Sequence, residues 1–295
     1  KGGAGMNLPA KVCLGAGAFL AMSGGLLALT GFALGAQTHL NMPFGGGSAV
    51  AAETPMVHVE VAADEGTATE SWVQVPAFSR IEVELDMGNV SVMPTGEYDL
   101  SFSGEHAALL DYEMDGDTLR ITGTALSAME FFTSGDEAAV TIGIPEDASL
   151  DAVDIHTAMG QVELTDFTAN SLTVSTDLGN VSLDSVMASD ADITLSMGDL
   201  TGYSLTTIDS LTVKNDMGDV YLDGDFQGNT DITLSMGDLD LTTWQSMDTY
   251  SLDLDVTMGD LYLDGSTQYG SVRREGGPNQ LKIANSMGSA DVYFG

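Results

Sequence analysis

Between Leu252 and Leu263 the chain reads LDLDVTMGDLYL. Apolar residues alternate with polar ones at Leu252, Leu254, Val256 and Met258, the period of a strand with one buried face. The alternation resumes at Leu261 and Leu263, but the step from Met258 to Leu261 is three residues rather than two. In a straight strand that slip would turn every later apolar side chain to the opposite face. A bend at Gly259 keeps both halves on one interior, and a glycine followed by a polar residue suits such a corner.

The same three-residue step runs from Met87 to Val90, Met159 to Val162, Leu178 to Val181, Met197 to Leu200, Met217 to Val220, Met236 to Leu239 and Met287 to Ala290. The corner residues are therefore Gly88, Gly160, Gly179, Gly198, Gly218, Gly237, Gly259 and Gly288. Around two of them the nonapeptide DITLSMGDL is written twice, at 192–200 and 231–239. From Met159 to Met258 successive copies are 19, 19, 20, 19 and 22 residues apart, a period that marks a stacked array. The predicted fold is all-β: a single-stack β-solenoid with about 20 residues per rung and about 4.8 Å between rungs. The residue before each corner is expected in an internal column, where burying a Met contributes on the order of 1.5–3 kcal/mol. On that expectation packing is preferred to copper binding, although thioethers are soft ligands and the chain holds 16 methionines. Thr176 and Asn215 also fall on the inward parity and must find hydrogen-bond partners.

The surface is expected to be strongly acidic. Asp and Glu number 44 against 8 Lys and Arg, a net charge of -36, which argues against a nucleic-acid partner. Asp199, Asp219, Asp238 and Asp260 each follow a corner glycine in what the spacing makes four consecutive rungs, about 5 Å apart. Two charges at that distance repel by roughly 3 kcal/mol at an effective dielectric of 20 and by less than 1 kcal/mol in water. They read first as solvated turn residues and second as a calcium site; the glycine-rich nonapeptide of calcium-binding solenoids is absent. His39, His58, His106 and His156 lack metal-ligand spacing and no GxSxG elbow occurs, so an enzyme is not expected. Cys13 is the single cysteine, which excludes an internal disulfide.

The amino end carries a different signal. Residues 12–36 contain no charge, and 25 helical residues would reach about 37 Å, enough for a bilayer core of about 30 Å. Lys1 and Lys11 precede the segment and the next basic residue is Arg80. The bias predicts residues 1–11 in the cytoplasm, a transmembrane helix over 12–36 and the solenoid outside the cell. A cleaved signal peptide ending near Ala33–Gly35 is the alternative. Small residues at four-residue spacing, including Gly31 and Gly35, would let two such helices associate. Residues 37–70 read as a flexible linker, 71–150 as the irregular first part of the solenoid, and 151–295 as its regular repeat. The sequence ends in SADVYFG with no evident cap, leaving an open edge that could pair with another copy or a partner. Residues 265–279, with Arg273 and Arg274, interrupt the array and read as a protruding loop and a possible contact site.

Several of these segments resemble a known family. The GFALG that ends the apolar span, RIEVELDMGNVSV at 80–92, VTIGIPEDASLDAVDI at 140–155, and the rungs DMGDVYLDG and SMGDLDL are similar to the bacterial membrane-anchored "putative adhesin" β-solenoids, a domain family of unknown function. The resemblance covers roughly Ser71–Gly295 and the anchor. It implies a right-handed, parallel β-helix-like solenoid at the cell surface; some relatives are linked instead to envelope-stress signalling, and no catalytic residues come with it.

The sequence is thus expected to encode a cell-surface structural or interaction protein, single-pass in the cell membrane, that presents acidic faces for adhesion or protein contact. An envelope-stress sensor that binds a ligand outside the cell is the alternative. A subunit of an extracellular filament, joined through the helix or the solenoid ends, is a third reading.

Overall fold

The computed structural model describes residues 72–104, 106–123, 138–146 and 148–295. The expected membrane span, the linker and the short segment before them lie outside the described residues. Among the described residues no helix is long and apolar enough to cross a membrane.

Among the described residues twenty strands follow in chain order: β1 (Trp72–Gln74), β2 (Arg80–Leu85), β3 (Asn89–Pro94), β4 (Asp99–Ser103), β5 (Leu110–Asp115), β6 (Thr118–Gly123), β7 (Ala139–Ile144), β8 (Ser149–Met159), β9 (Val162–Leu178), β10 (Val181–Met197), β11 (Leu200–Met217), β12 (Val220–Phe226), β13 (Asn229–Met236), β14 (Leu239–Thr243), β15 (Tyr250–Met258), β16 (Leu261–Leu263), β17 (Ser266–Gln268), β18 (Val272–Arg274), β19 (Asn279–Met287) and β20 (Ala290–Phe294). The rungs stack in parallel register. Val174 sits over Ile155 and under Ile193, which sits under Val213 and then Ile232. These columns are almost wholly aliphatic and buried, and their continuity from rung to rung is what holds the stack together.

Each central rung turns more often than the glycine corners alone require. Along β9 the buried residues are Val162 and Leu164, then Phe167 and Ala169, then Leu172, Val174 and Thr176. Two further three-residue steps, Leu164 to Phe167 and Ala169 to Leu172, turn the chain again and give the rung three sides. At the first of these turns Asp166, Ser185 and Ser204 stack with φ of 51°, 58° and 50°, a left-handed conformation that short polar side chains tolerate.

The column before the glycine corners corrects the sequence reading. Met197, Met217, Met236, Met258, Met287 and Leu178 are between 38% and 60% exposed; they point outward rather than into the core. The bend begins two residues before the glycine. The last inward side chains are Thr157, Thr176, Leu195, Asn215, Leu234 and Asn285, all buried, and the next inward one comes after the glycine. Two polar members of this column reach round the corner: Asn215 Nδ2 donates to the Gly198 carbonyl at 3.0 Å and Asn285 Nδ2 to that of Gly237 at 3.0 Å. Corner carbonyls that a purely apolar core would strand are thereby satisfied. The Thr176 hydroxyl, against expectation, is buried with no hydrogen-bond partner among the described residues.

Both ends depart from chain order. β19 lies between β13 and β15, and β20 between β14 and β16, so the carboxyl-terminal segment is the penultimate rung rather than the last. The outermost rung, β15–β16, is covered by β18 and β17, each pairing with it antiparallel. SADVYFG is therefore hydrogen-bonded on both sides, and residues 265–279 supply the cap instead of a free protruding loop. At the other end β6 and β7 lie outside β2 and β3 and are closed by antiparallel β5 and β4, with β1 beyond β4. Strands of reversed direction at both limits stop the parallel ladder from continuing into another copy.

Candidate interaction surface

The corner is built by backbone approach. A Cβ placed on Gly179 would lie 1.8 Å from the Gly160 carbonyl oxygen, and one on Gly198 would lie 1.9 Å from that of Gly179. Gly88, Gly160, Gly179, Gly198, Gly218, Gly237 and Gly288 have φ from 130° to 154°, a region essentially confined to glycine. Gly259 stacks on Gly288 at the end of the file. Ladder bonds continue through the corner, as from the Gly179 amide to the Met197 carbonyl at 2.9 Å and from the Val181 amide to the Asp199 carbonyl at 2.9 Å.

One residue later the polar followers form a second ladder. Asp199 Oδ1 accepts the Asp219 amide at 2.9 Å, Asp219 Oδ1 accepts the Asp238 amide at 2.8 Å, and Asp238 Oδ1 accepts the Ser289 amide at 2.7 Å. Asn180 Oδ1 does the same for Asp199 at 2.9 Å, and Asn89 Oδ1 for Gln161 at 2.8 Å. The four aspartates are not consecutive, because the inserted rung places Ser289 between Asp238 and Asp260, where its Oγ accepts the Asp260 amide at 3.4 Å. One oxygen of Asp199, Asp219 and Asp238 is thus engaged by backbone. Among the described residues no three His, Cys, Asp or Glu side chains converge as a metal cluster would. The sequence signal was present in the short side chain bearing an oxygen acceptor, Asn, Asp or Ser, after seven of the eight glycines, Gln161 being the exception.

Arg273 and Arg274 belong to β18 rather than to a loop. Arg273 Nε meets Asp253 Oδ1 at 3.0 Å, and Arg274 pairs with Asp248. They border a shallow depression of about 510 Å³ with Lys282 and Glu275, and Lys282 is bound to Asp231 at 2.7 Å. Their first role is to put charge on the outermost edge strand.

The feature that sequence reasoning missed is an aromatic patch among carboxylates. It lies on the outward face of the sheet formed by the start of β11, then β12, β14, β20 and β16. Tyr203 and Tyr221 pack with ring centres 5.0 Å apart. Tyr221 stands beside Asp240, Asp240 beside Asp291, and Asp291 beside Tyr262, while Tyr293 stands beside Thr242. Trp244 donates from Nε1 to Asp223 Oδ1 at 3.2 Å. Tyr203, Trp244 and Tyr293 are 50%, 52% and 40% exposed. The carboxylates crowd one another: desolvation first, then the charges of Asp240 and Asp238, raise the Asp291 pKa. Desolvation followed by Asp223 raises that of Tyr221. The period-two pattern had marked these positions only as outward; their clustering depends on which rungs are neighbours, and the inserted rung supplies Asp291 and Tyr293.

The stacked array with a glycine corner, an acceptor ladder and reversed-strand caps defines a class of repeat protein, a short solenoid closed at both ends. The chain belongs to the Toastrack DUF4097 family, whose model matches residues 78–274. Among solved structures it is similar to a "putative adhesin" from Bacteroides fragilis, with 13% identity over 77% of this chain and 96% of that one and a TM-score of 0.41. It is also similar to a "putative cell adhesion protein" from Clostridium sporogenes, with 11% identity over 77% and 99% and a TM-score of 0.37. A third is a "putative lipid binding protein" from Parabacteroides distasonis, with 14% identity over 78% and 98% and a TM-score of 0.42. Comparison with curated proteins finds no match.

Proposed function

We propose that the protein is a non-catalytic interaction module, a right-handed solenoid held at the cell membrane by residues 12–36 and displayed outside the cell, that binds a basic surface of another protein. The observation that carries this reading is the patch of Tyr203, Tyr221, Tyr293 and Trp244 interleaved with Asp223, Asp240 and Asp291. Exposed tyrosine and tryptophan are the residues most enriched at interfaces, and their ring faces attract lysine and arginine. The crowded carboxylates favour the same partner, since a cation placed among them offsets both the desolvation and the neighbouring charges of Asp240 and Asp238 that raise the Asp291 pKa. A net charge of -36 would steer such a partner inward at low salt.

The test is site-specific photocrosslinking in cells carrying the full chain. A photoreactive residue at Tyr221 is expected to trap a basic protein, and the same residue at Glu163, on the same outward row but toward the other end of the stack, is not. Equal crosslinking at both positions, or none at Tyr221, would refute the assignment.

A further inference from the structure

We propose that the outward file before the glycine corners is a binding track for soft monovalent metal ions, Cu(I) or Ag(I), each held between thioether sulfurs of neighbouring rungs. The file is continuous. Met159 lies in register with Leu178, Leu178 with Met197, Met217 with Met236, and Met258 with Met287. The amides of Gly198 and Gly237 complete the sequence by donating to the carbonyls of Met217 and Met287.

Three observations select thioether chemistry over simple apolar cover. First, the side chains are not buried, so packing does not account for the residue type. Second, the file is methionine in seven of its eight rungs, whereas the inward column two residues earlier mixes Thr, Leu, Asn and Val freely. Leu178 shows that another apolar residue fits the position, yet it occurs once. Third, the spacing matches the chemistry. A linear bridge with metal–sulfur bonds of about 2.3 Å, the length zinc makes to sulfur, spans about 4.6 Å, and the rungs are about 4.8 Å apart. Soft sulfur ligands favour Cu(I) among biological cations, and the flexible methionine side chain can adjust by the remaining fraction of an ångström. Asp177, before Leu178, and Asp216, before Met217, add negative charge beside the file; their carboxylates accept from Ser196 and Ser235 at 3.4 and 3.3 Å.

The binding is coordination alone, with no change of oxidation state, so Ag(I) serves as a probe without a reductant. The experiment uses the full chain with methionine methyl groups labelled by carbon-13, in a Cys13→Ser background so that the thiol does not compete. Titration with Ag(I) is expected to shift the methyl resonances of Met87, Met159, Met197, Met217, Met236, Met258 and Met287 and to leave Met93, Met114 and Met247 in place. Calcium and zinc are expected to shift none of them. Replacing those seven methionines together by leucine should abolish the binding with the circular-dichroism spectrum unchanged, and Leu178→Met should bring a new shifted resonance into the set. Ag(I) binding that survives the seven replacements, or shifts that spread evenly over all the methionines, would overturn the proposal. Should the sevenfold variant fold poorly, Leu178→Met alone decides: no new shifted resonance means no track.

Discussion

Replacing Gly198 by alanine places a methyl carbon 1.9 Å from the Gly179 carbonyl oxygen, where carbon–oxygen contacts otherwise run about 3.3–3.6 Å. Relief requires the two rungs to part by more than 1 Å. The bonds that span this gap are the Gly179 amide to Met197 and the Val181 amide to Asp199, both 2.9 Å, together with the Asp199 amide to Asn180 Oδ1 at 2.9 Å. An added ångström takes all three beyond hydrogen-bonding distance, a loss of about 1 kcal/mol each. The φ of 144° adds about 1–3 kcal/mol of backbone strain for a residue with a Cβ, so the total is about 4–6 kcal/mol. Gly96 is the internal control: its φ is 94° but an added Cβ meets nothing within 4 Å, leaving the strain term alone at about 1–3 kcal/mol. Urea unfolding of the full chain, read as transition midpoints, should place Gly198→Ala below Gly96→Ala by on the order of 1 M or more. Coincident midpoints for the two variants would show that the rungs do not touch at the corner, and the stacking geometry would be wrong.

Tyr250 is 1% exposed, shares a hydrogen bond of 2.8 Å with Thr243 Oγ1, and donates to the Phe226 carbonyl at 2.6 Å; Tyr250→Phe should cost about 1–3 kcal/mol in denaturant titration by leaving that carbonyl unpaired. Burial pushes the same phenol up to about 12 from 10.0. The unfolded chain therefore releases its proton first, and stability should fall by up to about 3 kcal/mol between pH 10 and 12, a slope that Tyr250→Phe removes. Asp291 has a raised pKa, so its ionised form weakens the fold at neutral pH and the penalty vanishes as pH falls through the folded value. Asp291→Asn should accordingly raise the melting temperature at pH 7 and reduce the stabilisation the parent gains on acidification, as read in a pH series of thermal melts. Asp219→Ala removes the acceptor for the Asp238 amide and should cost about 0.5–1.5 kcal/mol, whereas Asp219→Asn keeps an oxygen there, sheds a charge and should match or exceed the parent in the same unfolding assay.

The stack was legible because parity is an unforgiving signal. One three-residue step repeated at a fixed spacing admits few arrangements that keep Val174, Ile193 and Val213 indoors, and the structure aligns those residues in one column. The same arithmetic applied between the glycine corners, at Leu164 to Phe167 and Ala169 to Leu172, would have found the other two turns of the rung. Parity failed at Leu178 and the methionines because it counts positions along a straight strand, and the chain is already bending there; the inward Thr176 two residues earlier is where the count should have stopped. Rung order at the carboxyl end was not legible from spacing alone. The intervals of 22 residues from Met236 to Met258 and 29 from Met258 to Met287 announce an irregularity, but which copy pairs with which is settled by hydrogen bonds between segments that carry nearly the same motif.

That near-equivalence lets the end of the stack shape the outward face as well as close the edge. If β15–β16 followed β13–β14 directly, Tyr262 would stand beside Asp240, and the last segment would offer a bare parallel edge. Inserting β19–β20 draws Asp291 and Tyr293 into the aromatic patch, brings Met287 into line between Met236 and Met258, and leaves the antiparallel β17 and β18 as the outer limit. One rearrangement therefore completes both outward features and closes the edge. The corner itself has no such freedom, since each glycine lies against the carbonyl of its neighbour. Variation that leaves the stack intact must fall on the outward positions of the flat sides, where a side chain can change without moving a rung.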